Sequence, residues 1–87
     1  MKRRVVWELP AVEQLLVISR SDRGLALRIV SAVRRYAGGD GGDIKKLQGR
    51  AGEWRLRVGD WRVIFTTDQS QNAIAILAIV DRKDAYD

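Results

Sequence analysis

Three arginines carry the chemistry that this sequence offers. Arg55, Arg57 and Arg62 lie within EWRLRVGDWRVIFTT, residues 53–67. A guanidinium presents a planar fork of charged N–H donors that matches phosphate and carboxylate oxygens. Several of them around one phosphate would stabilise the added negative charge of a transition state, and deleting one such donor typically slows a reaction ~10²–10³-fold. Arginine stays protonated, so it cannot carry protons. The chain has no histidine and no cysteine. An imidazole base, a thiolate nucleophile and the common zinc sites are thereby excluded, and no metal or cofactor is expected. Proton transfer would fall to Tyr86, Lys46, Lys83, Glu53 or Asp81. A tyrosine phenol is weak for this at neutral pH unless nearby cations lower its pKa.

The elements that must position these groups are legible. Trp54, Leu56 and Val58 alternate with Arg55 and Arg57, the period of a half-buried strand. Gly59-Asp60 then predicts a two-residue hairpin turn, with glycine supplying the positive φ. This loop sets the pairing: Val58 with Trp61, Arg57 with Arg62, Leu56 with Val63, Arg55 with Ile64, Trp54 with Phe65. One face holds Trp54, Leu56, Val58, Trp61, Val63 and Phe65 and is expected to be the core face, so both tryptophans are read as packing. The other holds Arg55, Arg57, Arg62 and Ile64. Like charges opposite one another destabilise a sheet, so this face needs carboxylates or a bound anion. Between Trp54 and Phe65 neither strand places an acid there; Glu53 stands at the strand entry and Asp60 in the turn. A solvent-open face awaiting an anion is therefore expected.

Before the hairpin, Arg4–Glu8 reads as a short strand. Pro10 suits a helix's first turn, and Ala11–Arg20 reads as a helix with a stripe of Val12, Leu15, Leu16 and Ser19. Ser21-Asp22 offers a cap for a second helix over Arg23–Ala37, buried along Leu25, Ile29, Val33 and Tyr36. Four glycines within residues 38–42 break that helix. They are followed by no Lys-Ser/Thr and preceded by no strand, so they are not a phosphate-binding P-loop but a connector. Residues 44–50 read as a basic loop, whose Lys45, Lys46 and Arg50, with Lys83 after the last strand, are candidate contacts to a backbone phosphate or simply a solvated basic surface. Ala73–Val80 is continuously apolar, which suggests a strand buried on both faces. The expectation is a single α+β domain over residues 1–87. Its mainly antiparallel four-stranded sheet carries two helices on one face, in the order β-α-α-β-β-β.

Net charge is +5, and twelve of the sixteen basic residues are arginine, a balance that suits nucleic acid or an acidic protein partner. No apolar run reaches the length of a membrane span. The basic start has too short an apolar run for a signal peptide, so a cytoplasmic protein is expected.

LQGRAGEWRLRVGDWRVIF (residues 47–65), the strand AIAILAIV (73–80) and the ending DRKDAY (81–86) together resemble the RelE toxins of the RelE/ParE toxin–antitoxin superfamily, along essentially the whole chain. The resemblance implies a small α+β endoribonuclease that cleaves mRNA, typically on the ribosome and without a metal, inhibits translation, and is held inactive by a cognate antitoxin. It implies catalytic roles for Arg55, Arg57, Arg62, Arg82 and Tyr86, with Arg62 on the scissile phosphate. Arginine stands at 55 and 57 where the best-known ribosome-dependent member has lysines. Asp81 stands where many relatives have histidine. Two alternatives remain: a ParE-like toxin that inhibits gyrase, and a non-catalytic homologue acting only in an antitoxin repressor complex.

Overall fold

A computed structural model describes residues 2–82. The chain runs β1 (Arg4–Trp7), α1 (Leu9–Ser21), α2 (Arg23–Ala37), β2 (Ile44–Lys46), β3 (Glu53–Val58), β4 (Trp61–Asp68) and β5 (Ala73–Asp81). The five strands form one sheet in the order β1-β5-β4-β3-β2. β1 pairs with β5 in parallel, and every other pairing is antiparallel. The α+β class and the helical pair are as expected, but the sheet has five strands instead of four. The additional strand is β2, within the stretch read as a basic loop. It pairs Ile44 with Leu56, Lys45 with Arg55 and Lys46 with Trp54.

The helix break is local chemistry. Asp22 accepts a hydrogen bond from the Leu25 N–H at 3.0 Å, satisfying one of the donors that every helix start leaves unpaired. Its own N–H closes α1 on the Ile18 carbonyl. The two helices cover one face of the sheet. Ala11 and Ile18 of α1, and Ala26, Ile29, Val33 and Ala37 of α2, pack there with Leu56, Val58, Val63, Phe65, Ile74, Ile76 and Ile79. Trp54 and Trp61 are half-buried against the same core. One sequence expectation is corrected on α1. Leu16 is 53% exposed, whereas Ile18 is buried. Leu15–Ile18 is four apolar residues in a row, and such a run does not say which way a helix turns.

The hairpin has the expected register at every pair from Trp54↔Phe65 to Val58↔Trp61. Gly59 takes φ 60° in its turn. β5 lies between β1 and β4, hydrogen-bonded on both sides, which suits an all-apolar strand. Its pairing with β4 slips between Ile64 and Phe65, so that Ile64 meets Ala78 and Phe65 meets Ile76. The extra residue is Leu77, a β-bulge that reverses the alternation. Ile74 and Ile76 face the helices before it and Ile79 after it, leaving Ala78 and Val80 on the opposite, half-buried side.

Candidate functional site

The face turned away from the helices gathers the basic residues by strand geometry alone. Arg57 and Arg62 are direct cross-strand partners. Lys45 and Arg55 are partners on the adjacent strand pair. Side chains directly opposite share a face, so these four cations form one strip across β2, β3 and β4. Glu53 shares that side. Lys46, one residue on, points to the helix side opposite Trp54, because side chains alternate. The sequence grouping of Lys45 with Lys46 is thus split between the two faces.

The expectation of a solvent-open face is corrected. Arg55 is 8% exposed and Arg62 is 7% exposed, while Arg57 is exposed. Ile64 on this face is buried too. A long arginine stem can lie along apolar surface while its head finds acceptors. For Arg55 the acceptors come from Asp43, at the end of the glycine-rich loop. Nη1 of Arg55 donates to the Asp43 carbonyl at 2.9 Å and to its carboxylate Oδ1 at 3.0 Å. A carboxylate therefore does serve this face, brought from a segment outside the two hairpin strands. The same Asp43 carbonyl accepts the backbone N–H of Arg57 at 3.0 Å.

Arg57 donates Nε to the Gly59 carbonyl at 3.2 Å, which steadies the turn. Arg62 makes a long 3.4 Å contact with the Trp61 carbonyl and is engaged elsewhere as well. Arg82 follows β5 directly and reaches the hairpin turn, where its guanidinium stands 3.8 Å from Asp60; both groups are exposed. Such a pair is held loosely and screened by salt. Arg50 lies in the turn before β3, 3.6 Å from Glu53. Lys83 and Tyr86, the expected RNA contact and proton carrier, lie outside the described residues. Asp43 is the residue that sequence reasoning missed. Its only signal was its place at the end of a loop flexible enough to fold back on β3.

Elsewhere, a cleft of about 320 Å³ lies on the helix side of the sheet, lined by Tyr36, Trp54, Asp68 and Asn72 among others. Arg3 stacks over the Tyr36 ring at 5.0 Å and donates to its hydroxyl at 3.2 Å. Asp68 is held below the usual carboxylate range by the Ser70 hydroxyl, which donates to it at 2.6 Å, and by the Gln71 N–H. None of the strip's cations lines this cleft.

A two-helix layer on a mixed sheet, with a basic strip on the sheet's other face, defines a small α+β fold. The sequence model for the ParE toxin of type II toxin–antitoxin systems matches residues 5–86, and the chain belongs to that family. It thus falls within the RelE/ParE superfamily, as a toxin of type II toxin–antitoxin systems. Comparison with curated protein sequences yields no match. Among solved structures, a YoeB/ParE toxin from Agrobacterium tumefaciens superposes with a TM-score of 0.75 at 20% identity, over 90% of this chain and 96% of that one. The archaeal RelE–RelB complex from Pyrococcus horikoshii OT3 gives a TM-score of 0.67 at 25% identity, over 98% and 100%. The toxin–antitoxin complex RelBE2 from Mycobacterium tuberculosis gives a TM-score of 0.67 at 24% identity, over 94% and 100%.

Proposed function

We propose that this toxin is a metal-independent endoribonuclease that cuts mRNA on the ribosome and so inhibits translation. The observation that carries this reading is the cation strip, with Arg57 directly opposite Arg62 and Lys45 directly opposite Arg55 on one face. A sheet gains nothing in stability from like charges placed this way; an RNA phosphate bound across them relieves the repulsion. In the reaction, the 2′-oxygen attacks the adjacent phosphorus and the bond from phosphorus to the 5′-oxygen breaks. The 2′-hydroxyl proton leaves to a base, and the 5′-oxygen takes a proton. Arg55, Arg57 and Arg62 stabilise the negative charge that gathers on the non-bridging oxygens. Arg82, at the hairpin turn, extends the cationic surface along the RNA. Tyr86 is assigned the proton transfer or base stacking, and Lys45, Arg50 and Lys83 flanking backbone contacts.

A second reading, inhibition of gyrase without cleavage, is favoured by one feature. Arg55 already has a carboxylate partner in Asp43, which lowers the need of this face for a substrate phosphate. Primer extension on mRNA after induced expression, run beside a supercoiling assay, separates the two. Ends within codons support the ribonuclease; relaxed or broken DNA with intact mRNA refutes it. Absence of any growth effect would refute both in favour of a non-catalytic role.

The Pyrococcus and Mycobacterium structures are of toxin–antitoxin complexes, which supports a cognate antitoxin as partner here, in the cytoplasm. The strip favours an acidic antitoxin segment across it. Antitoxin affinity should then fall as salt rises, and a salt-independent affinity would refute docking on this face.

A further inference from the structure

We infer that Asp43 is the positioning residue of the cation strip: one residue fixes both the direction of the Arg55 guanidinium and the backbone of β3 at Arg57. This rests on the ribonuclease reading for its functional consequence, though not for its geometry. A guanidinium NH₂ has two N–H donors. At Nη1 of Arg55, Asp43 supplies two acceptors, its carbonyl at 2.9 Å and Oδ1 at 3.0 Å. The carbonyl also takes the Arg57 N–H at 3.0 Å. The Asp43 side chain is 57% exposed, so burial does not force it onto Arg55.

The preceding residue shows why the loop is built from glycine. A Cβ on Gly42 would lie 2.8 Å from Cδ1 of Leu56. Leu56 is a core residue on the helix side, between Arg55 and Arg57 in the chain. The loop therefore grips β3 across its edge, with Gly42 against Leu56 on one side and Asp43 on Arg55 on the other. An arginine left to itself samples many rotamers, and ordering it on binding costs affinity and rate. Asp43 contributes to that ordering in advance.

The test compares D43A and D43N with wild type in two measurements. The first is ¹⁵N NMR of the arginine guanidinium groups in the intact chain, without RNA. Slow rotation of the Arg55 guanidinium is expected in wild type, markedly faster in D43A, which keeps the backbone carbonyl acceptor but loses the carboxylate, and near the wild-type rate in D43N, which retains an oxygen acceptor. The second is cleavage of ribosome-bound mRNA. D43A should lower kcat ~10–10²-fold, as expected for a misaimed group, with KM within about threefold; D43N should stay within about fivefold of wild type in kcat. Thermal melting confirms that both variants are folded. An Arg55 rotation rate unchanged in D43A overturns the inference, as does faster rotation with unchanged kcat, or D43N falling as far as D43A. A wild-type chain that cleaves nothing, yet shows the Asp43-dependent signal, overturns the ribonuclease reading and leaves the positioning geometry upheld.

Discussion

Substituting glutamine for Arg57 should leave the stability of the protein almost unchanged and make it far less active. Arg57 is exposed, and its side-chain bond is Nε to the Gly59 carbonyl at 3.2 Å. Losing an exposed hydrogen bond of that kind costs about 0.5 kcal/mol. Against this, Arg57 faces Arg62 directly across the hairpin. Removing one member of a like-charged cross-strand pair returns roughly 0.2–1 kcal/mol. The net effect lies between about −0.3 and +0.5 kcal/mol, a Tm change of about −2 to +4 °C for a domain this small. Catalysis should fall by ~10²–10³ in rate, equivalent to about 3–4 kcal/mol of transition-state stabilisation. The same change at Arg62 is less informative, because its side chain is buried and the fold would suffer with the activity. The assays are thermal melting and single-turnover cleavage of ribosome-bound mRNA by Arg57→Gln. Cleavage within threefold of wild type would refute the role given to Arg57. A Tm lowered by more than about 5 °C would show instead that the arginine supports the hairpin.

Phe65 is 1% exposed, with its ring centroid 5.2 Å from that of Tyr36. Phe65→Ala should cost about 3–5 kcal/mol, a large part of the ~4–13 kcal/mol expected for a chain of this length, so the urea midpoint should fall sharply. Asp22→Ala removes the α2 cap and should destabilise by about 1 kcal/mol with cleavage unchanged, as read by thermal melting and the mRNA assay. Asp68, with its carboxyl held below the usual range, contributes stability that is present above the unfolded-state value and lost as pH falls through the folded one. Ser70→Ala removes the largest cause of that lowering. The acid limb of its Tm–pH profile below about pH 4 should be shallower than that of wild type.

The parts of the fold that could be read in advance were those set by neighbours in the chain. Asp22 can cap the next helix only a few residues on, so the helix break was legible. Leu16 misled because the four apolar residues from Leu15 to Ile18 define no single face, and packing against the sheet selected Ile18. β2 was missed because Ile-Lys-Lys is too short to show a period; its strand character comes from β3 alongside it. The bulge at Leu77 could not be seen in an all-apolar run, where a reversal of alternation leaves no mark.

The hairpin shows where the boundary falls. Its register, its apolar face and the clustering of Arg55, Arg57 and Arg62 opposite that face follow from the sequence alone, because a two-residue turn and the strand period are local constraints. The sequence could also exclude cysteine and histidine chemistry. It could not show that Arg55 and Arg62 are buried, that Lys45 joins the strip while Lys46 leaves it, or that Asp43 meets Arg55. Those depend on which strand lies beside β3 and on where a glycine-rich loop crosses its edge. Asp43 and Arg55 are twelve residues apart, and a contact across a flexible loop has no local signature. Only the packed sheet decides it.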